Sequence, residues 1–277
     1  MILTLRLKNL LLRTDGEAGW LDELFASKPE YVLAFLDLVN TRQWIRDIAN
    51  NPKALAAISA SPVAMAAISV ERAAIMTIIA VPEFLALVAA SEVAMSAVAA
   101  SEVGRAALWE NAQAWERVSA SEMAMGKYAA GAAGLDPTLY ADMSTVAASS
   151  TAMQAVAASG TACAAVNDVI QAYRSALVAA LSDTARFTKT TKTIGDGTGT
   201  WDDGVGTATI YIPTACMDDG DTNYSVRSLL SGNTELVFIA KHSGTIGVTS
   251  GVGLRGVRVV GSGSTKGSVT FDVYTVK

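Results

Sequence analysis

The chain has 277 residues, enough for two ordinary domains or for one domain joined to a repeat array. Hydrophobic residues make up 51% of it and aromatics only 6%, so the apolar content is mostly alanine and small aliphatics, which bring backbones close without supplying bulk. A net charge of -5, without a cluster of Lys and Arg, argues against nucleic acid as a direct ligand.

The opening "MILTLRLKNLLLR" mixes apolar residues and cations but lacks the continuous apolar core and small-residue cleavage site of a leader, so it reads as mature protein. Residues 1–30 are expected to form an N-terminal docking segment, and residues 31–163 a repeat array. Ala54 to Val70 is uncharged over about the length of a bilayer span. Ser59, Ser61, Pro62 and Ser69 interrupt it at repeat spacing, which predicts no membrane insertion.

The repeat has a period of ten. In blocks starting at 41, 51, 61 and onward, the fifth place holds Ile45, Leu55, Met65, Ile75, Leu85, Met95, Arg105, Trp115 and Met125. The eighth holds Ile48, Ile58, Ile68, Ile78, Val88, Val98, Leu108, Val118 and Tyr128. Leu55, Ile58, Met65, Ile68, Met95 and Val98 typify the expected repeat core. The first place holds Thr41, Asn51, Ser61, Ser91, Ser101, Asn111 and Ser121, with Glu71 and Val81 as exceptions; a short polar side chain there can accept from the free amides of a helix start. The second place holds Pro52, Pro62, Pro82, Glu92, Glu102 and Glu122, which suit the first helical position.

One continuous helix would need about 3.3 residues per turn against the natural 3.6, and each internal proline would cost about 3 kcal/mol. The decads therefore predict separate helices of about eight residues, burying their fourth, fifth and eighth places. Helices that short persist only by packing on neighbours, so the segment is expected to be an α-solenoid, one row or two, on the order of 60–100 Å long. Around Gly131, Gly134, Asp136 and Pro137 the frame shifts by two, and Ser149 and Ser159 resume it. Arg105 with Trp109, Trp115 and Tyr128 is either a binding patch with a cation over aromatic faces or a thicker stretch of core.

Residues 164–186 predict a longer connecting helix. Val166, Ile170, Tyr173 and Leu177 fall at alternating spacings of four and three, which fits an oligomer seam or an amphipathic helix packed on the array. Residues 187–277 predict an antiparallel β-sandwich, with strands at Thr207–Ile212, Tyr224–Leu230, Glu235–His242, Thr245–Thr249, Val252–Val260 and Ser268–Val276. "GDGTGTWDDGVG" lacks the lysine of a phosphate-binding loop and reads as a flexible entry loop. The fold class is thus α+β and multidomain.

Chemistry is sparse. The single histidine, His242, sits at a strand end with no serine, cysteine or carboxylate motif beside it. Asp219, Asp221 and Asn223 resemble the start of a calcium loop, but Tyr224 stands where its glycine would be and Leu230 where its closing glutamate would be. Cys163 and Cys216 fall in segments assigned to different domains, which predicts free thiols. No metal, no cofactor and no catalysis are expected.

"SPVAMAAIS", "SEVAMSAVAAS" and "SSTAMQAVAASGTA", spanning roughly Asn51 to Asp168, resemble the alanine-rich ten-residue repeats of tailed-bacteriophage appendage proteins, and "GSVTFDVYTVK" resembles the closing strand of small phage β domains. The resemblance implies a non-enzymatic virion component, a tail fibre or similar appendage, homo-oligomeric with a trimer one option. Its partners would be other virion proteins and a host surface receptor or glycan. A capsid or neck decoration protein, a carbohydrate-binding or carbohydrate-active β module, and a membrane-associated adhesin are the competing readings. The match lies in packing positions, so it carries over no functional residues.

Overall fold

A computed structural model of the chain describes residues 2–15, 19–41, 47–48, 50–195, 198–202, 209–219, 223–228, 235–239, 243–254, 256–262 and 267–277. Among the described residues, helices succeed one another as far as Leu181, and antiparallel sheets follow from Phe187, an α+β arrangement. Two compact units divide it, residues 1–145 and 146–277, so the last helices lie with the sheets.

The first unit begins with α1 (Ile2–Leu12), α2 (Trp20–Ser27) and α3 (Glu30–Val39). From there the decads dictate the elements: α4 (Pro52–Ala60), α5 (Pro62–Val70), α6 (Arg72–Ile79), α7 (Pro82–Ala90), α8 (Glu92–Ala100), α9 (Glu102–Glu110), α10 (Ala112–Ser119) and α11 (Glu122–Ala132). A short 3-10 turn (Pro137–Leu139) and the start of α12 (Met143–Ala148) follow.

At most decad junctions, Ser61, Glu71, Ser91, Ser101 and Asn111, one extended residue both closes a helix and opens the next. At Ser61 the backbone N–H donates to Ile58 O (3.1 Å), the carbonyl accepts from Met65 N (3.0 Å) and Oγ accepts from Ala64 N (3.0 Å). The axis turns by 86° there, and by 102° between α6 and α7. No single helix among the described residues is long and apolar enough to cross a membrane, and the uncharged run from Ala54 is two bent helices.

Each helix packs on its sequence neighbour and again on the helix three decads away: α4 on α7, α5 on α8, α6 on α9, α7 on α10 and α8 on α11. The chain passes back over itself every third decad, an arrangement different from the expected one row or two. This second neighbour explains a burial pattern wider than the predicted stripe. Beside the fourth, fifth and eighth places the ninth is also buried, as at Ser59, Ser69, Ile79, Ala89 and Ala99.

In the second unit α13 (Ser150–Ala158) and α14 (Gly160–Val166) keep the decad rule, with Ser149 and Ser159 as caps. The long connecting helix is not formed. After Val166 the chain turns, enters a 3-10 turn (Ile170–Tyr173) and continues as α15 (Arg174–Leu181). The break falls one decad after Ser159, with Val169 in the cap place as Val81 is earlier. The sequence loses its polar cap there but keeps its rhythm.

Two antiparallel sheets complete the unit. One runs β1 (Phe187–Gly195), β9 (Ser268–Val276), β3 (Ile210–Asp219), β6 (Ser243–Gly247), with β7 (Gly253–Leu254) also paired to β3. The other runs β2 (Thr198–Asp202), β8 (Gly256–Ser262), β4 (Asn223–Ser228), β5 (Glu235–Ile239). Their inward residues meet in one apolar cluster, with Tyr211, Cys216, Val269, Phe271 and Val273 from the first sheet and Tyr224, Val226, Ile239, Val257 and Val259 from the second. Val269, Phe271 and Val273 alternate inward along β9 as its sequence predicts.

Two strands depart from expectation. β1, "FTKTTKTIG", buries only Phe187 and Ile194 and pairs along its whole length with β9, from Phe187↔Val276 to Gly195↔Ser268. Part of the presumed entry loop, Thr198–Asp202, is β2 and pairs with β8. β3 also runs past Pro213, which has no N–H to donate, by shifting register between Pro213 and Ala215.

Candidate functional site

The residues singled out as caps form a ladder along the first unit. Side-chain oxygens of Asn51, Ser61, Ser91, Ser101, Asn111 and Ser121 each accept from a backbone amide in the first turn of the helix that follows. Thr41 Oγ1 donates to Leu38 O (3.0 Å), and the residues after it lie outside those described. Leu55, Ile58, Met65, Ile68, Met95 and Val98 are all buried beneath the ladder.

Several of these caps do a second job that sequence reading missed. Ser91 Oγ donates to Ser59 O (2.9 Å) and Ser101 Oγ to Ser69 O (2.5 Å), each bond spanning 32 residues to the ninth-place carbonyl of a helix three decads back. Asn51 Nδ2 donates to Leu12 O (3.1 Å) and Ser61 Oγ to Asp22 Oδ1 (2.6 Å). Ion pairs follow the same route, Lys8 to Asp47 (2.7 Å) and Arg72 to Glu110. The signal was the choice of Ser and Asn over Asp in the first place, because a carboxylate can cap but cannot donate.

That distinction makes a test. In isolated helices Asp caps as well as Ser. Ser91→Asp keeps the cap but sets a carboxylate against the Ser59 carbonyl, so it should cost about 1–3 kcal/mol, no better than Ser91→Ala. Asn111→Asp, where Oδ1 accepts from Ala114 N, should be close to neutral. Thermal unfolding with amide exchange in α8 reads the difference, and a harmless Ser91→Asp would refute the dual role.

Arg105 belongs to the same scheme. Its Nη1 donates to Ala99 O (2.7 Å), a cation on the last carbonyls of α8. Cys163 makes the same step back of six residues, its thiol reaching Ala157 O (3.6 Å) as well as Val156 O (3.3 Å). Trp109 and Trp115 meet edge to face at 4.5 Å, and Trp115 and Tyr128 at 5.0 Å. Tyr128 Oη donates to Arg105 O (3.3 Å). Burial pushes the Tyr128 phenol up to about 12, only partly offset by the Arg105 charge, so the ring stays neutral at physiological pH. Tyr128 is core, while Trp109 is 47% exposed and leaves the outer edge of the cluster open to solvent.

Val166, Ile170 and Leu177 are buried within the chain and Tyr173 is half-buried, because α15 turns back onto α13 once the helix breaks at 167–169.

Asp219 ends β3 and Asn223 begins β4, while Asp221, Leu230 and His242 lie outside the described residues. Among the described residues no group of His, Cys, Asp and Glu is placed to hold a metal ion. Cys163 and Cys216 are both buried and lie in the same unit, not in different domains as the sequence predicts.

A further buried charge escaped the sequence reading. Lys127 on α11 is 0% exposed, its Nζ 2.8 Å from Oε1 of Glu92, the first residue of α8. Asp136 and Asp142, which cap the 3-10 turn and α12, are both held below the usual carboxylate range by donors from Thr138 and Thr145 respectively.

Among the described residues the most organised feature is a ladder of donors and acceptors that ties successive coils of chain together. No protein-family model matches the chain, and no curated protein matches it either.

Proposed function

We propose that the chain is a non-enzymatic structural component of a tailed-phage virion, a tail fibre or similar appendage. In this reading residues 31–163 form a solenoid spacer and residues 187–277 a β-sandwich that docks on or recognises a surface, with other virion proteins and a host receptor or glycan as partners. The observation that carries it is the stapled cap ladder, Ser91 to Ser59 and Ser101 to Ser69. Ser91 and Ser101 each satisfy their own helix start and a carbonyl 32 residues back, a local rule by which such a unit can be extended by adding decads without redesigning a core. A spacer needs that property.

The N-terminal segment supports docking through α1. Leu7 and Leu11 face inward, whereas Ile2 is 83% exposed, with Leu5, Leu10, Arg6 and Arg13 also outward. This outward face mixes large apolar side chains with cations, which suits attachment to another virion protein. The chain is proposed to act as a homo-oligomer, in which several modest contacts add through avidity.

Immunogold labelling of purified phage particles with antibody to the full chain tests the reading. Label on a tail appendage is the expected result. Label on the head shell would replace it with a decoration role, and protein found only in the unassembled lysate would overturn it.

A further inference from the structure

The second unit contains a pocket open to solvent, of about 280 Å³, lined by Gln171, Arg174, Ser175, Leu236, Thr249 and Ser250, with Ser175, Thr249 and Ser250 exposed. Its walls are fixed by side chains from the segment where the expected long helix breaks. Gln171 binds one backbone position twice, Nε2 to Val252 O (2.8 Å) and Oε1 from Val252 N (2.9 Å). Arg174 donates from Nε to Gly251 O (3.2 Å) and from Nη2 to Pro213 O (3.3 Å). The second of those carbonyls lies at the register shift in β3, and Gly251 adopts φ 86°, which a side chain would resist. The cavity is thus pre-formed, which lowers the ordering cost of binding.

Its charge is one-sided. Arg174 contributes a half-buried guanidinium, and no carboxylate of the described residues pairs with it. The other polar groups lining the cavity include the hydroxyl side chains of Ser175, Thr249 and Ser250, with Leu236 the one large apolar side chain. Two carbonyls accept from one edge of the guanidinium but cannot neutralise it. A planar donor fork without a counter-charge, beside hydroxyl donors, matches an oxyanion. The volume lies near the lower end of ligand cavities, roughly 300–1,000 Å³.

We propose that this cavity binds a small oxyanionic ligand, a carboxylate or phosphate group carried on a compact polar molecule. The site stands whether or not the chain belongs to a virion, because it rests on the second unit alone.

The test uses the full chain with inorganic phosphate and, separately, glucuronate as probes, each against sodium chloride at matched ionic strength. Thermal unfolding should shift upward with the logarithm of probe concentration. Which probe acts more strongly distinguishes a phosphate from a sugar carboxylate. Arg174→Gln removes the charge but also two bonds to backbone carbonyls and could unfold the unit. Thr249→Glu leaves those bonds in place and puts a carboxylate into the cavity, and should weaken binding roughly tenfold or more through like-charge repulsion. No shift with either probe would overturn the proposal. So would equal shifts in wild type and Thr249→Glu, the signature of general anion exclusion.

Discussion

Glu92→Leu should destabilise the helical unit by about 3–5 kcal/mol, while Lys127→Met should cost less than about 1 kcal/mol. The asymmetry follows from where the two charges sit. Lys127 is fully buried on α11, and its ammonium lies 2.8 Å from Glu92, whose own side chain is 64% exposed. Removing the lysine charge leaves a carboxylate that water already solvates, and methionine refills the same channel with an unbranched chain. Removing the glutamate leaves an ammonium out of water with no counter-charge. Leucine is chosen over alanine because truncation would admit water to Nζ. The double variant should recover to within about 1 kcal/mol of wild type, giving a strong coupling in the cycle. Urea unfolding followed by amide exchange in α8 and α11 reads the result. Equal, additive losses would show that Lys127 acts through its stem alone.

Those two residues also mark where the sequence was legible. Glu92 stands in the second place of its decad and reads at once as a first-turn carboxylate. The burial of Lys127 could not be read, because the decad's sixth and seventh places are half-buried or exposed in most repeats, and only the crossing of α11 over α8 covers it. The caps could be read for the opposite reason. Ser61, Ser91 and Ser101 each obey a rule confined to four residues, an oxygen accepting from the third amide onward. Their second bonds reach 32 residues or more, and nothing local reports a recurrence every three decads.

The strands divide on the same line. β9 announces itself because Val269, Phe271 and Val273 face one core through a strict alternation. β1 has no apolar face to announce. Its Thr and Lys residues are exposed on both sides, and its identity depends on lying beside β9 at the sheet edge, where Lys189 pairs with Asp272 at 2.7 Å. Thr enrichment was the one local hint, and lysines are what an edge strand uses to resist pairing with other chains. The break in the connecting segment was hidden differently. Val166, Ile170, Tyr173 and Leu177 satisfy the coiled-coil spacing, yet a two-heptad pattern costs little to form by chance, and the decad rhythm from Ser149 through Ser159 to Val169 was the stronger determinant.

Gly131→Ala should cost the helical unit about 3 kcal/mol or more, beyond the usual range for overpacking. An added Cβ would lie 2.0 Å from Ala99 O and 2.7 Å from Ala99 C, backbone atoms that no rotamer change can move. The reason lies in the register. Gly131 is 32 residues beyond Ala99, the separation at which Ser91 and Ser101 donate to Ser59 and Ser69. In those coils the first-place residue is an extended cap whose hydroxyl reaches the carbonyl. Here α11 continues through the boundary to Ala132, so its backbone occupies the place of that hydroxyl, and only a residue without a Cβ fits. The Ala99 carbonyl is served instead by Arg105, which accounts for a cation in a place otherwise apolar. Gly131→Ala should therefore separate α11 from α8 and also free Arg105, raising amide exchange in both helices and altering the fluorescence of the adjacent Trp109 and Trp115. Gly195→Ala, with nothing within 4 Å of the added carbon, is the control and should leave both readouts unchanged. A tolerated Gly131→Ala would mean that α11 can lift away without loss, and the three-decad recurrence would then not be what holds the unit together.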